Sequence, residues 1–154
     1  MQRRSFLKGT LAGSAVAVAV GAGLLSPRTV LAAWPKAAFE AKSVNDAMSK
    51  LFGSADNTPS ADIKIKAPDI AENGAVVPVT VRTSMSNVDS IAVIAEKNGT
   101  PLASNFKLSA NTVPNVSTRI KMGKTSDVIA VVKANGKAYS ARKNVKVTIG
   151  GCGG

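Results

Sequence analysis

From Asp62 to the C-terminus, short apolar stretches alternate with polar residues at a period of two, and this period restricts most of the chain to β-sheet. Ile63 and Ile65 alternate with Lys64 and Lys66, and Val77, Val79 and Val81 with Pro78, Thr80 and Arg82. Ile91, Val93 and Ala95 come next, then Phe106 and Leu108, then Val116, Thr118 and Ile120. Val128–Val132 is a continuous apolar run, and Val145, Val147 and Ile149 alternate with Lys146 and Thr148. Half-exposed polar faces of this kind belong to antiparallel sheets. About seven short strands at this spacing predict an all-β sandwich of two sheets. Asn73-Gly74, Asn98-Gly99 and Asn135-Gly136 suit tight hairpin turns, because both residues tolerate positive φ. Pro78 has no N–H to give to a ladder, so its strand is expected to be an edge or to bulge there.

One helix is predicted ahead of the strands. Val44, Ala47, Met48 and Leu51 fall on one helical face. Ser43 with Asp46 three residues on suits a capping box, and Gly53 is a natural stop. With a start just after Pro35, the helix covers about residues 36–52. Residues 54–61 read as a polar loop.

The first 32 residues have a different character. Met1–Lys8 is basic, an uncharged Ala/Gly/Val-rich run extends from Gly9 to Leu25, and Val30 and Ala32 fit a peptidase site after Ala32. Arg3-Arg4 followed by Ser5-Phe6-Leu7-Lys8 resembles the twin-arginine export motif. The expectation is a cleaved signal peptide over 1–32, a domain over 33–149 and a tail over 150–154. A stable membrane anchor is not expected, since the uncharged run is short and glycine-containing for a span. The expected location is the periplasm.

Cleavage would leave 122 of the 154 residues. The 20 basic residues lose four (Arg3, Arg4, Lys8, Arg28) and the 9 acidic ones lose none, so the mature charge is +7. Such a charge favours encounter with small anions or acidic partners. Aromatic residues are only 4% of the chain, few for stacking on bases, and nucleic acid is not an expected partner.

Composition leaves little chemistry. The chain has no His and one Cys. His-dependent nucleophile systems, internal disulfides and multi-thiolate metal sites are excluded. No metal site and no cofactor are expected.

The remaining chemistry sits in the last ten residues, Val145-Lys146-Val147-Thr148-Ile149-Gly150-Gly151-Cys152-Gly153-Gly154. A patterned strand runs almost to the end, and Gly150, Gly151, Gly153 and Gly154 then surround Cys152. Without Cβ atoms these residues are thin and conformationally free. The object is a thiol on a narrow, flexible tether. An exposed thiol has a pKa of about 8.5, so a minority is thiolate near neutrality. Three readings follow: an arm that carries a covalently attached substrate, an intermolecular disulfide from an exported structural β-domain, and a catalytic nucleophile. No base stands beside Cys152 in the sequence to support the third.

The terminus with Lys146-Val147-Thr148-Ile149 before it resembles the SoxY family, carrier subunits of bacterial sulfur-oxidation systems. Val44-Asn45-Asp46-Ala47 through Leu51-Phe52-Gly53 resembles the family's N-terminal helix. Ile63–Pro68, Ile70–Val79, Ser117–Gly123 and Val128–Val132 resemble its strand regions. The resemblance implies an immunoglobulin-like sandwich, a heterodimer with SoxZ, and covalent attachment of inorganic sulfur anions to Cys152. It further implies that haem-containing SoxAX couples thiosulfate to the thiol, that SoxB hydrolyses the terminal sulfone to sulfate, and that SoxCD, where present, oxidises the remaining sulfur. The chain itself would then be a carrier, not an enzyme.

Overall fold

The computed structural model describes residues 34–148. The predicted single helix over 36–52 is two helices, α1 (Lys36–Phe39) and α2 (Val44–Phe52). The break has a local cause. Ser43 caps α2 through its hydroxyl, which accepts from the Asp46 N–H at 3.1 Å. That role requires the extended backbone seen at Ser43 (φ −133°, ψ 157°), so a helix cannot run through it. Asp46 also pairs with Lys50 one turn on, at 2.8 Å. Gly53 ends α2 in the left-handed region (φ 86°), with its N–H on the Ser49 carbonyl.

Among the described residues nine strands follow: β1 (Thr58–Pro59), β2 (Ile63–Lys66), β3 (Ile70–Ala71), β4 (Val77–Thr83), β5 (Val88–Ala95), β6 (Leu102–Lys107), β7 (Asn115–Ile120), β8 (Ser126–Ala134) and β9 (Lys137–Val147). They form an all-β, immunoglobulin-like sandwich. One sheet runs β9-β8-β5-β6, all antiparallel, with β1 and β3 added in parallel along the outer edge of β9. The other is the antiparallel sheet β2-β4-β7.

The main core lies between the sheets. Val77, Val79 and Val81 of β4 meet Ile91, Val93, Val128, Ala130, Val132 and Val145 there, all buried. The opposite residues of the central strands are buried as well. Ala92, Ile94, Ile129 and Val131 pack against Ala38, Ala41, Ala47 and Met48 of the helical segment. This third layer explains the unbroken apolar run in β8. It also makes β5 buried almost throughout, rather than alternating as a half-exposed strand would.

Asn135-Gly136 makes the expected tight β8–β9 turn, with φ of 51° and 75°. The other two Asn-Gly pairs do not make two-residue hairpins. Asn98-Gly99 lies in a longer β5–β6 connection, and Asn73-Gly74 joins strands of different sheets. Asn73 instead accepts the Ala75 N–H on its side-chain oxygen at 2.9 Å. Pro78 lies in the central strand of the small sheet, but β2 pairs with β4 only from Thr80 onward, so Pro78 has a neighbour on the β7 side alone. The loop over 54–61 contains β1, and β9 begins at Lys137, before the alternation at Val145.

Candidate functional site: the root of the C-terminal arm

Cys152, Gly150, Gly151, Gly153, Gly154 and Ile149 lie outside the described residues, as do Arg3 and Arg4. The structure places the point from which the tail departs, Thr148. That point is held from three sides.

The first hold is β3. Lys146 donates its N–H to the Asp69 carbonyl at 2.9 Å, and Thr148 donates its own to Ala71 at 3.1 Å. The second is the β7–β8 turn. The Thr125 hydroxyl accepts the Val147 N–H at 2.9 Å and lies 3.3 Å from the Val147 carbonyl, to which it donates. The third is the crossing at Gly74, whose carbonyl accepts the Met122 N–H at 2.7 Å. A Cβ on Gly74 would lie 2.8 Å from Val147 Cγ1 and 2.4 Å from the Met122 carbonyl oxygen, so only glycine lets these segments approach so closely. Asn98 extends the framework: its side chain donates to the Lys121 carbonyl at 2.6 Å and accepts the Gly123 N–H at 3.0 Å.

The register puts all of these at one end of the sandwich. Ala95 is opposite Val128, Ser126 opposite Val145, Val77 opposite Ile120, and Ile70 opposite Lys146. Thr148 is therefore a fixed origin. Cys152 lies four residues beyond it, a reach of at most about 14 Å when extended.

The sequence pattern marked the thiol but not its anchorage. Thr125, Gly74 and Asn98 are turn-like residues, which give no sign in the sequence of long-range partners. Asn73-Gly74 and Asn98-Gly99 did signal these places, but as local turns rather than as ties to the last strand.

The family model for the sulfur oxidation protein SoxY matches residues 48–152. The chain belongs to the SoxY family. The matched stretch ends on Cys152. Among solved structures, the sulfur carrier protein SoxY from Chlorobium limicola f thiosulfatophilum is 44% identical, with a TM-score of 0.64 over 70% of this chain and 97% of that one. A superoxide reductase (neelaredoxin) from Ignicoccus hospitalis aligns with a TM-score of 0.50 at 18% identity, over 56% of this chain and 80% of that one. That second likeness concerns the fold alone. No curated protein sequence matched. Membership of the SoxY family makes this a sulfur-oxidation protein, in agreement with the resemblance carried by its helix, strands and terminus.

Proposed function

We propose that this chain is a periplasmic sulfur carrier whose one cysteine, Cys152, holds thiosulfate-derived intermediates on the arm formed by Gly150, Gly151, Gly153 and Gly154. The observation that carries the reading is that the family match runs through residue 152, where the chain's one Cys stands. The named sulfur carrier from Chlorobium, aligned over nearly its whole length, supports it. An anchored root at Thr148 with a narrow glycine tail suits a thiol that must leave its own domain to react.

In the loading step the Cys152 sulfur bonds to the outer sulfur of thiosulfate. The thiol proton is released, and two electrons pass to the oxidising haem partner, SoxAX. Hydrolysis by SoxB then releases sulfate and leaves a persulfide on Cys152, which SoxCD oxidises where it is present. The chain supplies the attachment atom and the tether, its partners supply the catalysis, and SoxZ completes a heterodimer.

The test is the mass of the native mature protein. A carrier shows several adducts on Cys152, differing by sulfur and oxygen and lost on reduction. A single fixed disulfide to another chain would replace this reading with that of a crosslinked structural domain.

A further inference from the structure

Two loops and the end of the last strand meet at the arm root, and each brings lysine to the surface. The β5–β6 connection carries Lys97, the β7–β8 turn carries Lys121 and Lys124, and the end of β9 carries Lys146, all exposed. Their backbones are tied together by the Asn98 bonds to Lys121 and Gly123 and by the two Thr125–Val147 bonds. Among the described residues, none of the four lysines has an ion pair or a side-chain hydrogen bond.

The acids at this end offset these charges only in part. Glu96 and Asp127 are engaged by Arg142 of β9, at 3.0 and 3.7 Å. Asp127 also accepts from Asn144 at 2.8 Å, and Asp69 pairs with Lys143 at 3.0 Å. Glu72 is the remaining acid near the root and has no ion pair among the described residues. Arg142 and Lys143 thus engage three of the four acids, and with the four unpaired lysines the six cations exceed the acids named here by a net charge of +2, on segments tied to the arm root.

Tether length gives this positive excess a consequence. With Cys152 at most about 14 Å from Thr148, a partner that draws the thiol into a buried centre must bring its own entrance against the arm root. Whatever surrounds Thr148 touches that partner each time. We propose that Lys97, Lys121, Lys124 and Lys146 form a docking collar for an acidic rim around the entrance of the enzyme that receives the arm. The inference rests on the carrier reading of Cys152. Rim charges of this kind act on encounter and its salt dependence more than on chemistry. A carrier that must leave each enzyme after one step gains from contacts that form fast and release easily.

The experiment uses the mature chain bound to SoxZ, loaded with the thiosulfate-derived adduct, and follows sulfate release by SoxB against carrier concentration at low and high salt. One variant changes Lys97, Lys121, Lys124 and Lys146 to Ser. A charge-matched control changes Lys64, Lys107, Lys133 and Lys137, which lie away from the arm root, to Ser. The collar variant should lose at least about tenfold in kcat/KM at low salt, keep its kcat, and show a flattened salt dependence, while the control stays near wild type. Equal losses in both variants, or no loss in the collar variant, would overturn the proposal. So would loss of the SoxZ heterodimer in the collar variant, which would assign these lysines to subunit assembly. Alkylation of Cys152 by iodoacetate relative to iodoacetamide should change little. A fall in that ratio as large as the fall in kcat/KM would assign these lysines to small anions instead. Failure of the carrier reading appears separately, as sulfate release that persists in Cys152→Ser.

Discussion

The Thr125 hydroxyl bonds both backbone groups of Val147, accepting from its N–H at 2.9 Å and donating to its carbonyl at 3.3 Å. One side chain from the β7–β8 turn therefore closes the last strand before the tail begins. Replacing Thr125 by Val keeps the shape and removes both bonds. Each such bond contributes about 1 kcal/mol net, and less where water replaces it, so the global unfolding midpoint should fall only slightly. Hydrogen exchange at the Val147 and Thr148 amides should accelerate well beyond that of the β5 and β8 amides. Uniform acceleration would mean that Thr125 supports the whole sandwich rather than the arm root.

Gly74 is the second constraint on the same strand. Its missing Cβ leaves space for Val147 Cγ1 and the Met122 carbonyl. In Gly74→Ala one of these must move, and the Met122 carbonyl is backbone, fixed beside an N–H that already donates to the Gly74 carbonyl. Overpacking of this kind costs about 1–3 kcal/mol. A urea midpoint unchanged from wild type would show that the crossing relaxes freely. Gly99, with open space around it, is the control: Gly99→Ala should be near neutral.

Much of this fold could be read from residue spacing, for a definite reason. Where a strand has one wet face, the period of two appears in the sequence, as at Val77, Val79 and Val81. Where a strand is buried on both faces it does not, and Val88–Ala95 reads as weaker alternation than its burial warrants. The first eight residues of β9, Lys137–Asn144, are rich in Lys, Arg and Ala, yet they pair with β8 along their whole length. Ladder hydrogen bonds and the β8–β9 turn place them, and neither leaves an apolar signature. The two-residue strands β1 and β3 are specified by the edge of β9, a partner 81 residues away in the chain for β1 and 76 for β3. At the site, Cys152 stood out because it is alone, whereas its anchors are ordinary Thr, Gly and Asn residues whose role depends on long-range contact.

Cys152→Ser separates cargo from fold. A hydroxyl cannot form the S–S bond of the proposed adduct, so sulfur loading should disappear. On the free-arm reading, stability should move by less than about 0.5 kcal/mol, the usual range for surface substitutions. Mass spectrometry reads the first outcome and thermal unfolding the second. A large loss of stability would show that the tail packs against the domain, contrary to a free arm.

Changing both Arg3 and Arg4 to Lys tests the export reading. The twin-arginine pathway carries folded proteins, which would let a partner such as SoxZ cross as a passenger on this signal. The double variant should leave precursor inside the cell, and SoxZ with it, while wild type yields a periplasmic chain beginning near Ala33. Normal export of the variant counts against the twin-arginine motif, and export of SoxZ without residues 1–32 counts against the passenger role.

The glycines beside Cys152 should matter for access rather than for stability. A thiol presented to several enzymes must pass through entrances shaped by each of them, so the backbone around it has to be thin as well as free. Gly151→Val with Gly153→Val adds branched bulk on both sides of the sulfur and restricts φ. Alkylation by a small soluble reagent senses thiolate content and exposure alone. Transfer of sulfur by a partner enzyme also requires the flanking chain to fit. The double variant should therefore slow enzymatic transfer far more than alkylation. Equal slowing of both would mean that the glycines tune the reactivity of the thiol. No slowing of either would make them an ordinary chain end and remove the case for a narrow arm.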